Sequence, residues 1–244
     1  MKLTNVALAG VVSFGAVLAA GAPAFAEEAA TMKSHTDVTF TQNEKPVKPV
    51  NPVKPGEDVV PNDDPNDPHE DGTNGPLSID YVSNFHFGEQ KMSGNDKVYT
   101  AQLDVVKQKE SGEKTQVPNF VQVTDDRGTN KGWRLTVKQD AQFKAGENEL
   151  TGAELKLHNP VANSTIDMKY APDVKEVTLN PNGATQEVAI AQDGKGMGTW
   201  VTHYGTDNVE GAKSITLSVP GATAKVKDAK YETTLTWALE DTPQ

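Results

Sequence analysis

The sequence predicts an all-β protein: a single antiparallel β-sandwich or barrel-like domain, preceded by a disordered Pro/Asp-rich linker. Three observations predict it. Beyond residue 76, eight short runs alternate apolar and polar residues, the period of a strand with one buried face. No window sustains the helical period over about three turns. The composition also changes at residue 76, where a segment poor in large apolar residues gives way to one rich in Val, Thr, Tyr and Phe.

Taken in order, the first element is an export signal. Lys2 precedes an apolar stretch from Val6 to Ala20, and Ala24-Phe25-Ala26 is a small-x-small cleavage pattern followed by Glu27-Glu28. This predicts a signal peptide over 1–26, cut between Ala26 and Glu27. The stretch is shorter than the ~20 apolar residues of a spanning helix, and no later segment approaches that length. The mature chain is therefore expected to be secreted, without membrane insertion once the signal is removed.

The second element is the linker, residues 27–75. Proline recurs every third residue at Pro46, Pro49, Pro52 and Pro55. That spacing favours extended polyproline II backbone, and the low apolar content predicts disorder. Eleven acids and four lysines here carry most of the formal charge of −11. The run Asp67-Pro68-His69-Glu70-Asp71-Gly72 invites a calcium reading. It lacks the distal glutamate and flanking helices of a calcium loop, so a solvated acidic linker is expected.

The third element is the domain, residues 76–244. Its expected strands are 98–106, 119–125, 132–138, 153–159, 176–180, 186–192, 214–220 and 233–240. Their spacing suits an antiparallel sandwich or barrel. Residues 125–132, "DDRGTNKG", read as a hairpin loop between two such runs. "DGKGMGTW" (193–200) reads as a flexible hairpin loop, because β-rich residues follow it and not the helix a phosphate cradle needs. The loop is placed to present Trp200, His203 and Tyr204 to a ligand, and core placement of Trp200 is the equal alternative.

Composition excludes several function classes. The chain has no cysteine, hence no disulfide, no thiolate metal site and no lipidated cysteine. Arg127 and Arg134 are its only arginines, and the excess is acidic, so no nucleic-acid partner is expected. There is no HExxH, no GxSxG and no SxxK set, and His86, His158 and His203 are far apart. The expectation is no enzyme, no cofactor and no metal site.

Two of the three tryptophans share a setting: Trp133-Arg134-Leu135 and Trp237-Ala238-Leu239. A spacing of two puts Trp and Leu on one face of a strand. That is first a packing signature, with each strand offering an indole to one core.

Four stretches carry a family resemblance: "PLSIDYVSNFHFGEQKMSG" (76–94), "VQVTDDRGTNKGWRLTVKQ" (121–139), "DGKGMGTW" and "YETTLTWALEDTPQ" (231–244). Together the chain resembles a WxL-domain surface protein of Gram-positive bacteria. The resemblance implies non-covalent attachment to the cell wall through peptidoglycan. It makes Trp133, Leu135, Trp237 and Leu239, with Trp200 and Tyr204, the candidate wall-binding residues. It also implies other cell-surface proteins as neighbours, and the alternative function is a secreted assembly subunit whose β-domain binds one of them. With no lipidated cysteine, no second apolar span and no LPxTG sorting signal, retention at the cell wall is expected to rest on binding.

Overall fold

The computed structural model describes residues 30–62, 64–65 and 67–241. The expected signal peptide and its cleavage site between Ala26 and Glu27 lie outside the described residues. The chain divides into two units, Met1–Phe40 and Thr41–Gln244. In the first, described residues 30–40 carry no regular secondary structure, and Met32, Val38 and Phe40 are exposed.

The second unit is built from short strands. In chain order they are β1 Val50–Asn51, β2 Lys54–Pro61, β3 Leu77–Val82, β4 Lys97–Thr100, β5 Asp104–Gln108 and β6 Lys114–Val117. There follow β7 Phe120–Asp125, β8 Trp133–Gln139, β9 Lys144–Ala145, β10 Asn148–Glu149, β11 Glu154–Leu157 and β12 Pro160–Asn163. The last are β13 Asp173–Val174, β14 Val177–Thr178, β15 Gln186–Ala191, β16 Gly198–Tyr204, β17 Ile215–Val219 and β18 Leu235–Glu240. Among the described residues the one α-helix, α1 Asn208–Ser214, precedes β17, with the Asp207 carboxylate accepting from the Val209 and Glu210 N–H groups at its start, and a single 3-10 turn covers Met168–Tyr170.

Four four-stranded antiparallel sheets result, ordered β1-β2-β5-β6, β12-β16-β7-β3, β13-β15-β8-β18 and β14-β11-β17-β4, beside the β9-β10 ribbon. The β7–β16 sheet lies between two cores. Val121, Val123, Trp200 and Tyr204 join the large core with Trp133, Leu135, Val137, Leu155, Leu157 and Ile215. Phe120 and Val201, one residue out of step, join a smaller core with Val59, Tyr81, Val106 and Val117. The period-2 alternation of β7 and β16 thus serves two apolar layers at once.

Each run expected to be a strand contains one, and the expected all-β antiparallel class is what the chain adopts. Residues 98–106 are broken into β4 and β5, because β4 pairs with β17 while β5 pairs with β2 and β6. Three expectations need correction. Residues 125–132 and 193–197 are not hairpin loops: β7 and β8 lie in different sheets, as do β15 and β16. Both segments cross between the same two sheets, and the Gly194 N–H donates to Asn130 O where they meet.

The third correction concerns the linker, whose expected disorder does not extend over residues 50–61. These form β1 and β2; β2 pairs with β5, and Val59 is buried. The Gln122 side chain holds the incoming chain from both sides, accepting from the Val50 N–H and donating to Lys48 O. Extended backbone suits a polyproline rod and a strand alike, and buried Pro49 and Pro52 sit where no N–H is needed. The acidic run is also packed: His69 stacks on Tyr81, with ring centroids 5.1 Å apart. Among the described residues, no group of three or more His, Asp or Glu could hold a metal ion.

Candidate wall-binding cleft

The two Trp-x-Leu segments are neighbours in space. β8 and β18 pair antiparallel in unbroken register, with Leu239 opposite Leu135 and Trp237 opposite Val137. Opposite residues share a face, so Trp133, Leu135, Val137, Leu235, Trp237 and Leu239 all point to the large core. Their burial differs. β8 lies between β15 and β18, and Trp133 and Leu135 are 1% and 0% exposed. β18 is a sheet edge, and Leu235, Trp237 and Leu239 are half-buried in alternation with exposed Thr236, Ala238 and Glu240.

The glycine-rich segment explains the burial of two indoles. Trp133 Nε1–H donates to Gly196 O and Trp200 Nε1–H to Met197 O, both at 2.9 Å. Consecutive carbonyls thereby satisfy two buried donors that would otherwise cost stability. Gly196 has φ +76°, and a Cβ there would lie 2.5 Å from Trp133 Nε1. The segment is therefore a seat for the tryptophans. Trp200 and Tyr204 are each 1% exposed on central strand β16, so neither can meet a ligand in the folded protein.

Both arginines are structural. Arg127 grips the Asp125 carboxylate through Nε and Nη2, both at 2.8 Å, and also donates to Gly132 O and Asp241 O. It ties the end of β7 to the start of β8 and the end of β18, and the Asp125 contact raises its pKa further. Arg134 spans Glu240 on β18 and Glu187 on β15.

Trp237 and Leu239 are the half-buried pair of the motifs, and of these two Trp237 borders a cleft. It lines this cleft of about 520 Å³ with Phe85, Phe87, Leu235 and the polar Glu70, Asp71, Thr73, Asn84, Thr234 and Thr236. The floor comes from Ile79, Tyr81 and Val82 of β3, with Phe143 and Leu155. Phe85, Phe87 and Trp237 are half-buried. Polar and apolar side chains share the lining, and concave sites that combine aromatic surface with polar groups are where small ligands bind. A larger hollow of about 750 Å³, bordered by Asp140, Lys144, Glu154 and Asn180, has no aromatic residue in its lining.

Sequence reasoning missed Phe85, Phe87, Glu70 and Asp71. The signal present was the alternation Phe85-His86-Phe87 after a strand-like run. Glu70 and Asp71 fell within the presumed linker, where no contact was expected.

Buried polar groups behind the cleft are engaged with one another. Asp80 accepts from Ser78, Gln122 and Thr124, yet burial outweighs these bonds and raises its pKa. Tyr81 donates to Asp104 Oδ2, and burial, then the Asp104 charge, raises its pKa well above that of a free phenol. His203 Nδ1 lies 2.9 Å from Gly205 O, and burial lowers its pKa below 6.5.

The family model described as WxL domain, surface cell wall-binding, matches residues 27–243. No curated protein and no solved structure matches the chain.

Proposed function

The chain belongs to the WxL family of surface cell wall-binding domains, and on that premise we propose that it attaches non-covalently to peptidoglycan after secretion. The observation that supports this reading is the cleft at Trp237, where three half-buried aromatic side chains stand among hydroxyl, amide and carboxylate groups. Such rings stack on the apolar faces of sugars and peptides while the polar rim supplies hydrogen bonds. Binding and not catalysis is the role we assign. The buried carboxylates Asp80 and Asp104 are held by side-chain donors and lie behind the surface a ligand would touch.

A second reading, attachment through another surface protein, is favoured by the edge of β18. That strand is six residues long and regular, and carries no proline, bulge or lysine to discourage pairing with a further strand. Sedimentation of the purified mature protein with bare peptidoglycan sacculi separates the two. Co-sedimentation, lost on Trp237→Ala, supports direct binding. Protein remaining in the supernatant defeats it and leaves the partner-borne reading.

A further inference from the structure

We propose that the cleft at Trp237 is an ammonium site, and that the wall component it holds is one displaying a primary amine. The inference rests on the wall-binding reading for the source of the amine, though not for the site itself. Phe85, Phe87 and Trp237 line one space, and the face of an aromatic ring carries the negative end of a quadrupole. Glu70 and Asp71 line the same space, are exposed, and have no ion pair or hydrogen bond among the described residues. Elsewhere in the domain acids commonly stand beside a cation, as Asp58 beside Lys109, Asp125 beside Arg127 and Glu149 beside Lys144.

Among the described residues, no lysine or arginine lines the cleft. A phosphate or carboxylate entering it would meet two like charges among aromatic side chains with nothing to neutralise it. A neutral sugar could stack there but would leave both carboxylates without a counter-charge. An alkylammonium answers both features: its charge faces the carboxylates and its methylenes lie along the rings. The acidic chain would thereby hold the wall at its cationic points while being repelled by its anionic polymers.

The test uses the mature protein and two preparations of sacculi, one untreated and one whose amines have been acetylated to neutral amides. Acetylation should lower the bound fraction about tenfold or more, the scale of losing one charge-assisted aromatic contact. Glu70→Gln with Asp71→Asn should lower binding to untreated sacculi similarly without changing the thermal melt, since both residues are exposed. In parallel, n-butylammonium chloride is titrated against the protein and indole emission followed, with sodium chloride as the ionic-strength control. Trp133 and Trp200 are buried, so a saturable change reports Trp237. Equal binding to both preparations overturns the amine assignment and leaves wall binding standing. A saturable butylammonium response without sedimentation upholds the site and defeats the wall reading. Absence of any saturable response overturns the site.

Discussion

At the scale of single residues, the two motifs divide between packing and contact. Trp133 is fully buried with its N–H satisfied, while Trp237 is half-open on an edge strand. Trp133→Ala should therefore cost about 3–5 kcal/mol, and Trp237→Ala about half that, measured by urea unfolding. Trp237→Ala should still lose sacculus binding while folded; equal destabilisation by the two would show that Trp237 is as buried as Trp133. Tyr204 supplies a contrast, because its buried hydroxyl has no partner among the described residues. Tyr204→Phe should raise stability by roughly 1 kcal/mol, a few degrees in Tm, and leave binding unchanged. A loss of binding would make that hydroxyl a ligand contact. The shared face of each Trp-x-Leu was legible from a spacing of two. Which indole meets solvent was not, because it depends on which strand ends the sheet.

At the scale of elements, the connections were harder to read than the strands. Alternation marks a strand without saying which sheet it joins, so the segments 125–132 and 193–200 looked like hairpin loops. Their fixed points are side-chain and glycine contacts over distance: Arg127 on Gly132 O and Asp241 O, and Gly196 against Trp133. Gly196→Ala should be strongly destabilising for two reasons. Its φ of +76° disfavours any side chain, and the added Cβ would lie 2.3 Å from the Ala191 Cβ. A loss of about 2 kcal/mol or more in urea unfolding is expected. Gly194→Ala should cost less, because its positive φ of +80° is strained but its Cβ position is open. Similar losses in both variants would show that conformation alone, and not the seat it forms for Trp133, sets the requirement.

At the scale of the whole molecule, pH and the proline-rich segment decide stability together. His203 is 2% exposed and its pKa is lowered from 6.5 by burial. The unfolded chain therefore takes up a proton before the folded one does. The stability His203 contributes is complete above about pH 6.5 and is lost as pH falls from there through the lowered value. His203→Phe should flatten the Tm-versus-pH curve on the acid side of 6.5, and an unchanged slope would place the acid sensitivity elsewhere.

The segment before residue 76 makes the larger difference. From sequence it resembled a tail, because prolines and acids outnumber apolar residues and its partners are distant in the chain, β5 for β2 and Gln122 for Val50 and Lys48. In the fold, Val59 closes the small core against Val106, Val117 and Phe120, and Gln42 and Asn43 donate to Arg127 O and the Asp126 carboxylate. Removing residues 1–61 would thus uncover one apolar layer and strand the Gln122 amide, whose remaining side-chain partner is Asp80. Limited proteolysis should accordingly leave a resistant fragment beginning near Thr41, and a chain starting at Pro76 should melt well below the full mature protein. A fragment beginning at Pro76 that melts like the intact chain would show that the small core adds nothing and that the segment is a tail after all.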